Sequence, residues 1–127
     1  MKTYLAIAMV TIAAAQVCYA DVTPQQINTA MSAANGKKQQ ADFAKAGALT
    51  ARNVCVFRGG NPKAGDDLIA LGNLDYDDGL GFYQIALARL LMGDLVNALT
   101  WANQSNISFT AAYTKYTSAD LAYNAAK

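Results

Sequence analysis

From Thr23 onward, apolar positions recur along this chain with helical spacing, and clusters of turn-forming residues divide them into short segments. Thr23-Pro24-Gln25-Gln26 has the form of a capping box. The Thr hydroxyl can accept an early amide, Pro loses nothing at the first helical position, and Gln26 can reach back. A helix is therefore expected to start at Pro24, with Ile27, Ala30, Met31 and Ala34 on one face and a stop or kink at Asn35-Gly36. From Lys37 the pattern resumes, with Phe43, Gly47, Thr50 and Val54 along one line. Ala41, Ala44, Ala48, Ala51 and Cys55 form an adjacent line of small residues that would let another helix approach closely.

Arg58 to Gly65 is a loop by composition. Asp66 or Asp67 then caps a short helix carrying Leu68, Ile69, Leu71 and Leu74, and a second break falls at Asp75-Tyr76-Asp77-Asp78-Gly79. Leu80 to Met92 is apolar on nearly every side, as befits the centre of a bundle, with Arg89 as its one formal charge. Gly93-Asp94 closes that helix and caps the next, which carries Leu95, Ala98, Leu99, Trp101 and Ala102. Asn103 to Ser108 reads as a loop holding two glycosylation sequons, at Asn103 and Asn106. A last helix bears Phe109, Ala112, Tyr113, Tyr116 and Tyr123, with a kink at Thr117-Ser118. The pattern thus predicts an all-α fold, an irregular bundle of five or six short helices around a central apolar helix near residues 79–92.

Gly93-Asp94-Leu95 followed by Ala98-Leu99, with Phe82 and Ala86 upstream, resembles one unit of a tetratricopeptide-type or Sel1-type repeat over residues 79–105. Arg89 and Ala102 stand where that family carries aromatic residues, and no second copy recurs at the family period, so a generic helical hairpin is the expectation here.

Residues 1–20 carry a different pattern. Lys2 precedes an apolar run from Tyr4 to Val17, and Cys18-Tyr19-Ala20 offers small residues at the positions a signal peptidase inspects. At about 1.5 Å per residue that run spans roughly 21 Å, short of a hydrocarbon core of about 30 Å. The segment reads as a cleaved signal peptide, leaving residues 21–127 as one helical domain in the periplasm or outside the cell, with no stable membrane insertion.

Charge sharpens the picture only locally. The formal net charge is +1 and falls to zero once Lys2 is removed, which gives nucleic acid nothing to hold. Residues 21–63 carry a surplus of four positive charges and residues 64–100 a surplus of five negative ones. Such a split either neutralises within the fold or orients a charged partner, another copy of the chain included. Cys55 is the one cysteine beyond the leader; its apolar surroundings favour burial, and a bond to another chain is the alternative.

Candidate chemistry is sparse. The chain has no histidine and no glutamate, which removes Ser-His-Asp triads, Cys-His pairs and HExxH zinc helices. Gly60 and Gly65 have phosphate-loop spacing, but Asp66 and Asp67 stand where Lys and Ser or Thr belong. Asp75 to Gly79 resembles half of a calcium loop and fails at its sixth and twelfth positions in either register. The reading is a non-enzymatic module that binds another protein, without a cofactor or metal: an accessory subunit of an envelope or secretion assembly, or an inhibitor or immunity-type protein. Candidate partner-binding residues are Trp101, Tyr113, Tyr116, Asp75, Asp77 and Asp78. A hydrophobic-ligand carrier lined by Phe43, Phe82, Met92 and Trp101, and a small hydrolase using Asp75, Asp77 or Asp78, are the alternatives.

Overall fold

A computed structural model describes residues 22–126; the leader lies outside that range. The described chain forms three long helices, α1 (Pro24–Phe57), α2 (Lys63–Leu91) and α3 (Leu95–Ala125), running up, down and up. The all-α class stands, whereas the division into five or six short helices is corrected to three. No described helix is long and apolar enough to cross a membrane.

Two of the expected breaks are real, and both have the same construction. Gly59 and Gly93 are the two described glycines with positive φ, 77° at each. After α1, the Gly60 amide donates to the Cys55 carbonyl and the Gly59 amide to Val56; after α2, Asp94 donates to Arg89 and Gly93 to Leu90. These paired bonds are Schellman stops, which require a residue free to turn left-handed. Asp94 then caps α3 by accepting the Asn97 amide, and the Thr23/Gln26 capping box opens α1 as expected.

The other expected breaks are helical. Gly36, Gly65 and Gly79, each at an expected break, stay right-handed, as do Gly72 and Gly81, and α1 and α2 run through all five. Residues 103–108 lie inside α3, and Thr117-Ser118 does not interrupt it. A helical glycine costs about 1 kcal/mol relative to alanine, too little to end a helix whose faces are packed. Residues 79–92 are the last half of α2 rather than a central helix, and Leu91 and Met92 at its end are exposed.

Packing follows a seven-residue repeat on all three helices. On α1 a buried line runs through Ile27, Ala34, Ala41, Ala48 and Cys55, with Met31 and Ala51 buried beside it. On α2 they fall at Gly65, Gly72, Gly79 and Ala86. On α3 two such lines alternate: Ala98, Ser105, Ala112 and Ala119, and Ala102, Phe109, Tyr116 and Tyr123. A strict period of seven keeps one seam of a helix turned toward its neighbour over many turns. α3 is the shared partner, packed closely on both other helices, which touch one another much less.

The two seams differ in kind. Toward α2, the aromatic line of α3 lies across bare backbone: Tyr123 over Gly65, Tyr116 over Gly72 and Phe109 over Gly79. A β-carbon at those three glycines would come within 2.2, 2.6 and 2.7 Å of the rings. Toward α1, α3 presents alanine to alanine, with Ala41 against Ala112 and Ala48 against Ala119 in the buried clusters. Ser105, the one buried polar side chain described, donates to the Gly79 carbonyl at 2.8 Å. Cys55 is fully buried beside Ala119 and Tyr123, a small apolar core residue.

Candidate functional site

Between α1 and α2 a groove over the aromatic line of α3 holds two pockets, one lined by Arg52, Asp66, Asn73 and Tyr123 and the other by Lys38, Leu80 and Phe109. Lys38, Lys45 and Arg52, seven residues apart on α1, point along it. Arg52 grips Asp66 with two bonds, Nε to Oδ1 at 2.7 Å and Nη2 to Oδ2 at 3.1 Å. The Tyr123 hydroxyl donates to the same carboxylate at 2.6 Å, and the Tyr116 hydroxyl donates to Asn73 Oδ1 at 2.7 Å. At the Phe109 layer the corresponding α2 residue is Leu80, so polar partners occur where the α3 ring carries a hydroxyl and an aliphatic one where it does not. Lys45 lies 5.8 Å from the Tyr116 ring centre, and Lys38 lies 5.7 Å from that of Tyr76, whose hydroxyl donates to Asp42.

Ionisation in this groove follows from those contacts. Hydrogen bonds from Arg52 and Tyr123 hold the Asp66 carboxyl below its ordinary range. Burial pushes the Tyr116 and Tyr123 hydroxyls up to about 12, with the bond to Asp66 adding to the effect on Tyr123. Each shift moves a group away from neutral pH, the opposite of what general acid–base work asks for. The groove is a set of internal clasps. Its Arg52–Asp66 pair is also where the basic first half of the chain meets the acidic second half.

The residues singled out in the sequence are not gathered in one place. Tyr116 is 1% exposed and belongs to the core. Trp101 packs on Phe82 with ring centres 5.2 Å apart. Asp75 is paired with Lys115 of α3, while Asp77 and Asp78 are exposed on α2 and Tyr113 is half-exposed on α3. No group of three or more potential metal ligands occurs among the described residues. The four residues of the carrier alternative do not line a common cavity either, since Phe43 is 81% exposed on α1 and Met92 is exposed at the far end of α2.

A surface that the sequence reading missed lies on the outward side of α2. Leu71, Leu74, Asp78, Gly81, Ile85, Ala88 and Met92 are all exposed. They follow one another at alternating intervals of three and four residues, the spacing of a second helix-packing seam. Leu74 is 63% exposed and Met92 70%, and a β-carbon at Gly81 would meet nothing within 4 Å. The signal was present in the sequence, but it becomes a line only when residues 63–91 are taken as one helix. The outward side of α1 mixes Gln39, Thr50 and Asn53 with the exposed Phe43 and Phe57, and that of α3 mixes Thr100, Thr114 and Thr117 with the exposed Ile107 and Leu121. Comparisons with protein-family models, with curated proteins and with solved structures find no match for this chain.

Proposed function

We propose that this protein is an exported, non-enzymatic binding module whose contact surface is the outward face of α2. The observation that carries the reading is that face itself: a helix apolar on both sides, of which the fold covers one. A stripe of apolar side chains, interrupted by Asp78 alone among charges and left bare on a folded domain, marks an interaction site more often than a lone exposed leucine does. The leader supports export, and the internally paired groove leaves no poised acid, base or nucleophile to argue for turnover. Within this class an accessory subunit of an envelope assembly and an inhibitor-type protein share the same surface logic.

The test compares the wild type with Leu74→Asp/Ile85→Asp, both changes lying on the exposed stripe. The double variant should keep its helical circular dichroism and its melting temperature within a few degrees, and lose saturable association with a protein partner, a second copy included. Association that survives the double variant would refute the assignment. A rise in melting temperature with a hydrophobic small ligand would favour the carrier instead.

A further inference from the structure

Resting on the binding role of the α2 face, we infer that its occupant is the same face of a second copy, packed antiparallel about a two-fold axis near Gly81. The stripe from Leu71 to Met92 spans about 30 Å of helix at ~1.5 Å per residue, enough for a full helix-on-helix seam. Around an axis at Gly81 it is self-complementary. Leu71 meets Met92 of the second copy and Leu74 meets Ala88, so long side chains fall opposite small or flexible ones. Gly81 meets Gly81 at the crossing, where the absence of a side chain lets the backbones come close.

Charge selects the orientation. Beside the stripe, on the α3 side, run Asp75, Phe82 and Arg89, again seven residues apart. Antiparallel pairing sets Asp75 of each copy near Arg89 of the other and brings the two Phe82 rings together. Parallel pairing about a two-fold axis would put the α3-side flanks of the two copies on opposite sides of the seam, so that Asp75 and Arg89 of different copies would not meet. Arg89 is available for the shared arrangement, because its own-chain partner Asp94 is at 3.6 Å and its side chain is 42% exposed, while Asp75 already holds Lys115 through Oδ2 and would share its carboxylate between the two cations. Asp78 is the one charge within the stripe. In the antiparallel register it faces Ile85, and the two Asp78 residues stand about 10 Å apart along the axis, seven residues at ~1.5 Å each. An isologous contact of this kind closes on itself and yields a dimer rather than a filament.

Sedimentation equilibrium of the full chain, with Cys18→Ser removing its second thiol, should give twice the chain mass. Ile85→Asp should weaken the dimer tenfold or more, and Asp78→Leu should tighten it. Thiol placement reads the register. Gly81→Cys should form a disulfide-linked dimer under mild oxidation; Leu74→Cys should link to Ala88→Cys and not to itself. Self-linking of Leu74→Cys would overturn the antiparallel arrangement. A monomer at all concentrations would overturn the dimer. If that monomer still binds another protein, and Leu74→Asp/Ile85→Asp abolishes the binding, the binding role of the face stands alone; if neither association occurs, both fall.

Discussion

At the scale of single residues, glycine carries opposite signs at different places in this protein. At Gly72 an alanine would gain about 1 kcal/mol of helix propensity. Its β-carbon, however, would lie 2.6 Å from Cε1 of Tyr116. That ring cannot retreat, being 1% exposed and tied through its hydroxyl to Asn73. Overpacking of this sort costs roughly 1–3 kcal/mol, so Gly72→Ala should destabilise the protein despite the better propensity. Gly36→Ala meets nothing within 4 Å and should stabilise it by about 0.4–1 kcal/mol, through the lost freedom of the unfolded chain. Urea midpoints of the two variants should therefore move in opposite directions. A stabilising Gly72→Ala would mean that α2 and α3 do not approach at that layer.

Between elements, the same tyrosines that fill the glycine seam also clasp α3 to α2, and this makes the clasp pH-dependent. Both hydroxyls donate, so ionisation would remove the donor and place a negative charge on a buried ring, beside Asp66 in the case of Tyr123. Their folded-state values near 12 stand above the unfolded value of about 10. Stability from this source is therefore complete below pH ~10 and is lost as pH rises through ~12. On the acid side Asp66 is shifted downward, so its contribution is present above an unfolded value of about 3.9 and disappears as pH falls through the lower folded value. Melting temperature followed from pH 9 to 12 should fall more steeply in the wild type than in Tyr116→Phe/Tyr123→Phe; equal slopes would discount the clasp. The element scale also explains what the sequence could and could not disclose. The capping box at Thr23, the stop at Gly93 and the cap at Asp94 were legible because each is settled by neighbours within a few residues. Gly65 and Gly79 read as loop because glycine among turn-forming neighbours signals a break, and Gly72, inside an expected helix, carries no signal of its own. Their meaning depends on rings that lie on another helix, and it surfaces only when their seven-residue interval is set beside that of Phe109, Tyr116 and Tyr123. The outward stripe of α2 stayed hidden for the same reason: broken at Asp75, it has no continuous spacing to notice.

For the molecule as a whole, the two seams imply unequal cohesion. α3 holds α2 through three aromatic rings, each burying far more apolar surface than a methyl group, at roughly 25 cal/mol per Å² removed from water. α1 is held to α3 chiefly by alanines, with larger side chains at Ile27 and Met31 near its start and Cys55 near its end. Its cross-links to α2 are the Arg52–Asp66 pair and the Tyr76–Asp42 hydrogen bond, and in the latter the acceptor is exposed. The helical hairpin α2–α3 should thus be the more persistent unit, with α1 opening from it at lower free energy than global unfolding requires. Native-state hydrogen exchange at increasing denaturant tests this directly. Amides in the middle of α1, across Ala34 to Ala48, should exchange through a sub-global opening before those facing the glycine seam in α2 and α3, and Arg52→Ala should lower α1 protection further while leaving the Tyr123–Asp66 bond in place. If all three helices exchanged with one common free energy, the alanine seam would be as strong as the aromatic one. The unequal packing would then have no consequence for the dynamics.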